Sequence, residues 1–415
     1  MEKVIIIGGG IIGLCSAFYL NEAGYRVTIL DKGDLTDNCS FGNAGMIVPS
    51  HFIPLAAPGM VEQGIRWMFN SKSPFYVRPS LSFDLLSWGI KFIRNANERH
   101  VERSAEPLRN ISLLSKKLYH VLQNRKIFEF GLADRGILML YKTEKAAKEE
   151  AHLVEKGKTL GLDMDILSPE ACQQLQPELS LDILGAVHYR CDGHLHPNQL
   201  MQNLTIYLET AGVIILRNHE VSRIESTESM VTGVIADGNK WIADHYVISG
   251  GAWSPAIAKL AGLTVPLLPG KGYSFMEKEP NSRMQIPALL AEARVSITPM
   301  NGSIRYGGTM EIDQINNRIN LNRVRGIAES VPKYFPDLHP RVPEEKEIWF
   351  GFRPASPDGL PYLGRSGKYK NMILATGHGM MGISLGPASG QLVCQIIRET
   401  TTDLDISAFS PTRFG

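Results

Sequence analysis

Residues 1–32 read MEKVIIIGGGIIGLCSAFYLNEAGYRVTILDK, and this stretch decides the fold class. Val4 to Ile7 form a wholly apolar run, which predicts a strand that is buried on both faces. A glycine-rich turn follows, then a stretch from Ile11 to Ala23 that predicts a helix, and a second strand from Arg26 to Leu30. The pattern predicts a strand-helix-strand unit at the start of an α/β domain.

The turn carries the spacing G-x-G-x-x-G, formed by Gly8, Gly10 and Gly13. Gly8 suits a tight turn, Gly10 lets the backbone approach a pyrophosphate, and Gly13 allows close packing of helix and strand. The free N–H groups of the helix's first turn favour the same anion. Asp31 closes the second strand, where a carboxylate suits the hydroxyls of a ribose. We therefore predict dinucleotide binding; the alternative is a glycine-rich loop that serves helix packing alone.

The composition is that of a globular enzyme without a strong overall charge. The 415 residues allow two or three domains, and 43 basic residues balance 42 acidic ones, which disfavours nucleic-acid partners. The five cysteines form no C-x-x-C pair, so neither a disulfide framework nor a zinc site is predicted. No stretch reaches the roughly 18 apolar residues of a spanning helix, and the N-terminus lacks signal-peptide features. We expect a cytoplasmic protein and leave peripheral membrane contact open.

Two nearby histidines raise the alternative of a metal site. His194 and His196 lie in the sequence Asp192-Gly-His-Leu-His-Pro197, but no third ligand follows at helical spacing. A loop that leads into a helix opened by Pro197 accounts for the same residues. We therefore predict no metal.

Three further motifs add to the opening unit. The loop after Asp31 contains S-x-x-N-A-G-M from Ser40 to Met46. Near the C-terminus, W-x-G-x-R-P begins at Trp349, and A-T-G-H-G-x-x-G runs from Ala375 to Gly382. Together these residues resemble the D-amino-acid dehydrogenase and glycine oxidase family of FAD-dependent enzymes, over residues 1 to about 398. Leu363, where the family usually has isoleucine, is a conservative departure.

The resemblance implies an α/β protein with a Rossmann-like FAD-binding domain and a second, α+β substrate domain that carries an antiparallel sheet. Residues 1–50, 185–263 and 346–415 are predicted to form the FAD-binding domain, and residues 51–184 and 264–345 the substrate or cap domain. Within the cap, apolar residues recur at three- or four-residue spacing between Leu81 and Phe130, which predicts amphipathic helix.

The resemblance also implies which residues hold FAD. The opening unit and the loop after it would bind the nucleotide, the backbone near residue 221 would meet the adenine, and the C-terminal loop would lie beside the flavin. A helix that begins near residue 382 would direct its positive end toward the ring. The predicted cofactor-binding residues are Gly8, Gly10, Ile12, Gly13, Asp31, Lys32, Ser40, Asn43, Ala44, Gly45, Met46, Val221, Gly250, Gly251, Trp253, Gly377, His378, Gly379, Met380, Met381 and Gly382.

Three residues are candidates for contact with the substrate. Arg353 stands where the family binds the substrate carboxylate, and a guanidinium meets a carboxylate in a bidentate fork. The alternative is an ion pair with Asp358 or a nearby acid. Tyr273 is a second candidate contact, or a packing residue. His51 follows the flavin loop and lines either the pocket or the surface. No dedicated general base is predicted, because a desolvated pocket favours the neutral amine.

The resemblance implies the FAD-dependent oxidative deamination of a D-amino acid, including D-proline and 4-hydroxy-D-proline, by hydride transfer from Cα to flavin N5. Glycine or sarcosine oxidation is an alternative within the class. A non-catalytic or tRNA-modifying FAD protein is an alternative from another class, although the near-neutral charge disfavours tRNA binding. A pyridine-nucleotide enzyme would fit the glycine motif alone. The expected partners are an amino-acid substrate and an electron acceptor, which is a quinone, oxygen or another protein.

Overall fold

The computed structural model describes residues 1–68, 74–78, 82–278 and 283–414. The opening unit lies inside a six-stranded sheet, and its predicted order of strand, helix and strand is confirmed. Neighbouring strands of this sheet run parallel, except that Tyr362–Arg365 is antiparallel to Met372–Thr376. In spatial order the strands are Tyr362–Arg365, Met372–Thr376, His245–Ile248, Lys3–Ile7, Arg26–Leu30 and Ile214–Leu216.

Ten α-helices occur in the described residues, and the helix of the opening unit is buried along most of its length. They span Ile11–Glu22, Met60–Met68, Phe83–Asn95, Glu98–Arg125, Glu144–Thr159, Pro169–Leu175, Pro197–Thr210, Ser254–Leu260, Leu321–Ser330 and Gly382–Ile397. Short 3₁₀ turns lie at Gly251–Trp253, Val331–Lys333, Glu345–Glu347 and Ser407–Phe409. Within these ranges, none of the helices combines the length and the apolar character that crossing a bilayer requires.

The first and last α-helices, Ile11–Glu22 and Gly382–Ile397, pack against each other at very short range. A Cβ on Gly390 would lie 2.5 Å from the carbonyl oxygen of Cys15, and a Cβ on Gly386 would lie 2.9 Å from Ile11. Any larger residue at these two positions would push the helices apart. Glycine therefore brings the N-terminal and C-terminal segments together over one face of the six-stranded sheet.

A second, nine-stranded sheet carries the other half of the chain. Most neighbours in it are antiparallel, so the antiparallel sheet that the sequence predicts is confirmed. In spatial order its strands are Trp349–Ala355, Leu268–Lys278, Ser303–Ile312, Val295–Pro299, Ala288–Leu290, Ile137–Tyr141, Gly185–Tyr189 and Met164–Leu167, and Phe75–Val77 also pairs with the third of them.

Two small sheets complete the strands. One joins Val221–Ser226, Val231–Ala236 and Asn239–Trp241, and the other joins Met46–Ile47 to Gly193–His194. The domain boundaries remain a prediction. Strands Gly185–Tyr189 and Trp349–Ala355, which the sequence places in the cofactor domain, pair along their whole length within the nine-stranded sheet.

The amphipathic stretch predicted between Leu81 and Phe130 forms two helices rather than one. Leu81 lies outside the described residues. The helical structure is interrupted between Phe83–Asn95 and Glu98–Arg125. Asn97 causes the break, because its side chain accepts a hydrogen bond from the backbone N–H of His100 at 3.0 Å and so caps a new helix.

Candidate cofactor and substrate site

Two helix N-termini meet at the carboxyl end of the parallel strands. Gly10 precedes helix Ile11–Glu22, and Met381 precedes helix Gly382–Ile397. A Cβ on Gly382 would lie 3.7 Å from the side chain of Ile11, so the two first turns are in contact. Each first turn presents backbone N–H groups and the positive end of a helix dipole. Their meeting point is suited to a phosphorylated ligand.

The three glycines of the opening motif have different surroundings. Gly8 has a φ of 111°, and a Cβ there would lie 2.6 Å from the carbonyl oxygen of Ser249. A Cβ on Gly13 would overlap the carbonyl oxygen of Gly8, so this position sets the close approach of helix and strand. A Cβ on Gly10 would have the Ser40 Oγ atom as its nearest neighbour, at 3.7 Å. The backbone of Gly10 is therefore accessible to a ligand.

The carboxylate of Asp31 organises the loops beside this turn. It accepts hydrogen bonds from the backbone N–H groups of Gly9 at 2.6 Å and Gly33 at 2.7 Å. A carboxylate has about four acceptor positions, so it retains capacity for a ribose hydroxyl. The backbone N–H of His219 donates to the carbonyl oxygen of Asp31 at 2.7 Å, which brings the segment that leads to Val221 alongside.

Lys32 and Trp253 link the segment after Asp31 to the strand that carries Arg353. The Lys32 Nζ atom lies 4.0 Å above the Trp253 ring, a cation–π contact. The same ring meets Phe352 edge-on with 5.7 Å between centroids. Before it, Gly251 has a φ of 54°, and Gly250 lies so close to Ile257 that a Cβ would be 2.5 Å from its Cδ1 atom.

Arg305 holds the loop that contains Ser40 to Met46, although it is not among the residues that the sequence predicts for the site. Its guanidinium donates to the carbonyl oxygens of Phe41 at 2.9 Å and Asn43 at 2.5 Å, and to Oδ1 of Asn198 at 2.6 Å. The residue is 3% exposed, and burial lowers its pKa to about 10. A single arginine in a strand of the distant sheet gives no signal in the sequence that it supports this loop.

The loop from Ser40 to Met46 also contacts both helix N-termini. Ser40 Oγ accepts a hydrogen bond from the backbone N–H of Ile11 at 3.1 Å. The Asn43 amide donates to the carbonyl oxygen of Met380 at 3.4 Å, and its Oδ1 atom accepts from Gly45 at 2.8 Å. Ala44 and Met46 pack in one apolar cluster with Met381, while Ile12 is buried in the core below.

The C-terminal loop is fixed from below by His378. Its Nε2 atom lies 2.9 Å from Oγ of Ser389, and burial lowers the pKa of the ring to about 3, so the side chain is neutral. Gly377 and Gly379, on either side, have φ values of 80° and 53°. The N–H of Gly379 donates to the carbonyl oxygen of Pro354 at 3.1 Å, which joins this loop to the strand that carries Arg353.

Arg353 is a desolvated cation without a carboxylate partner in the described part of the chain. Its NH1 group donates to the carbonyl oxygen of Thr309, and its guanidinium lies over Gly272, where any side chain would overlap it. Burial lowers its pKa to about 10. The alternative ion pair with Asp358 is wrong, because Asp358 binds Arg413 through contacts of 2.6 and 3.0 Å. A half-buried cation without a counter-charge favours an anionic ligand.

Tyr273 does not face the same space as Arg353. Its neighbour Gly272 lies under the guanidinium, and successive side chains of a strand point to opposite faces of the sheet. The Tyr273 hydroxyl donates to Glu311 at 2.8 Å and accepts from the N–H of Asn320 at 3.1 Å, and the residue is 1% exposed. The prediction that it contacts the substrate is therefore wrong, and the packing alternative describes its place.

His51 lies beside the loop that precedes it, in a turn closed by a hydrogen bond from its N–H to the carbonyl oxygen of Val48 at 3.0 Å. The N–H of Val48 in turn donates to Oγ of Ser384, at 3.0 Å, in the first turn of the last helix. Burial lowers the pKa of His51 to about 4. This neutral histidine therefore lies close to the meeting point of the helices.

The two histidines considered as metal ligands make different local contacts. His196 precedes helix Pro197–Thr210, and its Nδ1 atom accepts from the N–H of Gln199 at 3.4 Å. His194 pairs through its backbone with Met46. Across the described ranges, no group of three or more His, Cys, Asp or Glu side chains is close enough to hold a metal ion.

The arrangement fits a dinucleotide cofactor better than packing alone. Two helix N-termini, an accessible Gly10 backbone and a carboxylate at Asp31 supply what a pyrophosphate and a ribose require. Arg353 lies in the strand that the N–H of Gly379 joins to the C-terminal loop.

The chain is similar to known proteins in sequence and in fold. The model of the DAO family, described as FAD dependent oxidoreductase, matches residues 3–396. A D-amino acid dehydrogenase of Helicobacter pylori is 29% identical over 99% of this chain and 98% of that protein. A D-amino acid dehydrogenase of Vibrio vulnificus (strain CMCP6) is 30% identical over 95% of each chain. The crystal structure of glycine oxidase from Geobacillus kaustophilus has a TM-score of 0.79 at 24% identity, covering 100% of this chain and 99% of that one, and shows the shared fold.

Proposed function

The chain belongs to the DAO family of FAD-dependent oxidoreductases, and from this premise we propose that it oxidises a D-amino acid to the corresponding imino acid. The dehydrogenases to which it is similar over nearly their whole length support this substrate class. Bound FAD supplies the acceptor for the hydride that leaves Cα of the substrate. The amine loses one proton, and water converts the imine to a 2-oxo acid and ammonia.

The observation that carries the proposal is the state of Arg353. Its guanidinium is desolvated, it is seated by a neutral carbonyl oxygen, and the nearest acidic candidate in sequence, Asp358, is bound to Arg413 instead. A carboxylate that entered the site would find an uncompensated cation and form charge-assisted hydrogen bonds with it. Every α-amino acid carries such a carboxylate, which orients Cα relative to the cofactor.

The opening unit and the two loops hold FAD in this proposal. The first-turn N–H groups of helix Ile11–Glu22 bind the pyrophosphate, and Asp31 accepts hydrogen bonds from the adenosine ribose. Helix Gly382–Ile397 directs its positive end toward the flavin ring. The loop from Ser40 to Met46, supported by Arg305, lies along the chain that connects pyrophosphate and flavin. The remaining predicted contacts, from Val221, Gly250 and the C-terminal loop, belong to the same proposal.

The protonation state of the substrate follows from the surroundings. The nearby histidines, His51 and His378, are neutral because burial lowers the pKa of each ring, to about 4 and about 3. Such a pocket favours the neutral amine over the ammonium form. Loss of hydride from Cα is then assisted by the nitrogen lone pair. A proline-like substrate gives a cyclic imine, which is why D-proline and 4-hydroxy-D-proline belong among the substrates to be tested.

Glycine or sarcosine oxidation is the second candidate, and the shared fold with a glycine oxidase favours it. The two candidates differ in the space beside Cα, which must admit a side chain in the first case. The electron acceptor that reoxidises the flavin is a quinone, oxygen or another protein. Comparing the reoxidation rate of the reduced protein with oxygen and with a soluble quinone separates these acceptors.

Anaerobic reduction of the bound flavin tests the proposal. Purified protein is mixed with D-amino acids, D-proline, 4-hydroxy-D-proline, glycine, sarcosine and the matching L-amino acids, and the flavin absorbance is followed. We expect bleaching by one or more D-amino acids and none by their L forms. Bleaching by glycine and sarcosine alone would select the second candidate. Bleaching by none of the panel, although dithionite reduces the flavin, would contradict both.

A further inference from the structure

A buried carboxylate with no place in the proposed chemistry lies behind the flavin loop. Asp192 is fully buried, just before strand Gly193–His194, which pairs with Met46–Ile47. Its Oδ1 atom accepts the backbone N–H of Ser50 at 3.0 Å, and its Oδ2 atom accepts the Ser50 hydroxyl at 2.6 Å. Two hydrogen bonds to one serine fix that serine's side chain.

The hydrogen-bonded chain continues from Ser50 to His51. Ser50 Oγ lies 3.1 Å from Nδ1 of His51. A hydroxyl has a single hydrogen, and the short contact with the carboxylate uses it, so the hydrogen between Ser50 and His51 must come from Nδ1. A neutral imidazole with its hydrogen on Nδ1 carries a lone pair on Nε2. That Nε2 atom has no hydrogen-bond partner among the described residues.

The hydrogen-bonded chain lies next to the first turn of the last helix. His51 is tied through Val48 to Ser384, in the first turn of helix Gly382–Ile397. Arg353 is tied, through the contact between Pro354 and Gly379, to the loop that leads into this helix. A cationic side chain and a histidine of defined hydrogen-bonding character are thus both connected to the N-terminal end of the last helix, and an α-amino acid has one functional group for each.

We propose that Asp192, acting through Ser50, is a positioning residue that keeps the hydrogen of His51 on Nδ1, so that Nε2 accepts a hydrogen bond from the amino group of the substrate. The inference rests on the proposed oxidation of an amino acid. It assigns the amine to His51 in addition to the carboxylate at Arg353.

The charged and titratable neighbours define the pH dependence. Arg294 is the cation that faces His51, and Lys116 and Cys191 are the groups that face Asp192. Burial raises the pKa of Asp192 to about 7. A protonated Asp192 would donate to Ser50 Oγ, the Ser50 hydroxyl would then donate to Nδ1, and the ring hydrogen would move to Nε2. Nε2 could no longer accept from the amine, so kcat/KM should fall as the pH decreases through about 7.

The first test compares pH profiles of kcat/KM for wild-type holoenzyme, Ser50→Ala and Asp192→Asn. We expect the inflection near pH 7 that Asp192 causes in the wild type to be lost in both variants, while the fall due to protonation of the substrate amine remains. The plateau of kcat/KM should be reduced about tenfold. Ser50→Thr, which keeps the hydroxyl, should restore the inflection. Binding of acetate, which has a carboxylate and no amine, should be unchanged. An unaltered inflection in both variants would overturn the proposal.

A second test does not depend on turnover. ¹⁵N-histidine-labelled holoenzyme reports the tautomer of His51, whose signals are assigned by their loss in His51→Asn. We expect the Nδ1–H form in the wild type above the pKa of Asp192, and a shift toward the Nε2–H form in Ser50→Ala. An Nε2–H tautomer in the wild type would refute the role of Asp192. The expected tautomer in a protein whose flavin no amino acid reduces would contradict the proposed function and the amine contact, but not the hydrogen-bonded chain.

Discussion

The guanidinium of Arg353 is seated on the carbonyl oxygen of Thr309, a residue in the left-handed region of backbone space. Thr309 has a φ of 63°, which is unusual for a β-branched side chain. The strand pairing shifts at this point: Lys271 faces Glu311, whereas Tyr273 faces Gly308, so an extra residue bulges from the strand. The bulge turns the Thr309 carbonyl toward Arg353, and backbone strain is thus located at the proposed carboxylate clamp.

Thr309→Gly should therefore stabilise the protein without weakening the binding of the substrate. Glycine removes the strain of the positive φ, and the Thr309 hydroxyl is buried with no partner among the described residues, so little is lost. We expect the free energy of unfolding to rise by about 1 kcal/mol and KM to stay within about twofold. Thr298→Gly is the matched control, because its hydroxyl is also buried and unpaired but its strand is regular; it should destabilise. Urea unfolding and steady-state kinetics decide.

Arg353→Lys should raise KM for the amino acid by about 10- to 100-fold and change kcat much less. A lysine keeps the charge but loses the bidentate fork, which removes roughly 1.5–3 kcal/mol of binding to the carboxylate. Arg365→Lys is the control, since Arg365 pairs with the exposed Glu399 at 2.9 Å. An unchanged KM in Arg353→Lys would contradict the clamp.

Gly390→Ala should destabilise the contact between the first and last helices. Its Cβ would lie 2.5 Å from the Cys15 carbonyl, and overpacking of this kind costs roughly 1–3 kcal/mol. Gly89→Ala, in helix Phe83–Asn95 with no atom within 4 Å of the new Cβ, should instead stabilise by roughly 0.5–1 kcal/mol. Thermal unfolding of both variants tests the contrast, and equal effects would refute it.

The buried His378 should make the protein less stable in acid. Burial lowers its folded-state pKa from 6.5 to about 3, so below about pH 6.5 the unfolded chain takes up a proton that the folded chain does not. The free energy of unfolding therefore falls as the pH decreases from about 6.5 toward 3. His378→Asn should flatten this dependence, while His152→Asn, at an exposed position, should not. Urea titrations between about pH 7 and 5 measure both slopes.

The sequence predicts those parts of the molecule that are formed by residues close to one another along the chain. The prediction of the opening unit is confirmed because its turn, helix and strand depend on local spacing between Gly8 and Asp31. The last helix and its glycine-rich loop were predicted for the same reason. Their mutual contact was not, because Gly386 and Gly390 acquire their meaning only beside Cys15.

The missed and mistaken residues depend on pairing between distant segments. Arg305 reaches a loop 262 positions away, and Asp192 binds a serine 142 positions away, so no local pattern reveals either. Tyr273 was misassigned because alternation along a strand decides the face, and a shift of one residue exchanges the two faces. The break at Asn97 was missed because the apolar spacing continues across it.

The contact between the first and last helices also bears on how the protein is made. The Cys394 thiol of the last helix donates to the carbonyl oxygen of Tyr19 in the first, and the two residues are 375 positions apart. During synthesis the opening unit leaves the ribosome long before Gly382–Ile397 exists to cover it. Long-range contacts of this kind form late, because their loop-closure entropy must be overcome first. We expect FAD capture to be among the last events of biosynthesis, so that a nascent or C-terminally truncated chain would expose the bare apolar face of its first helix to chaperones.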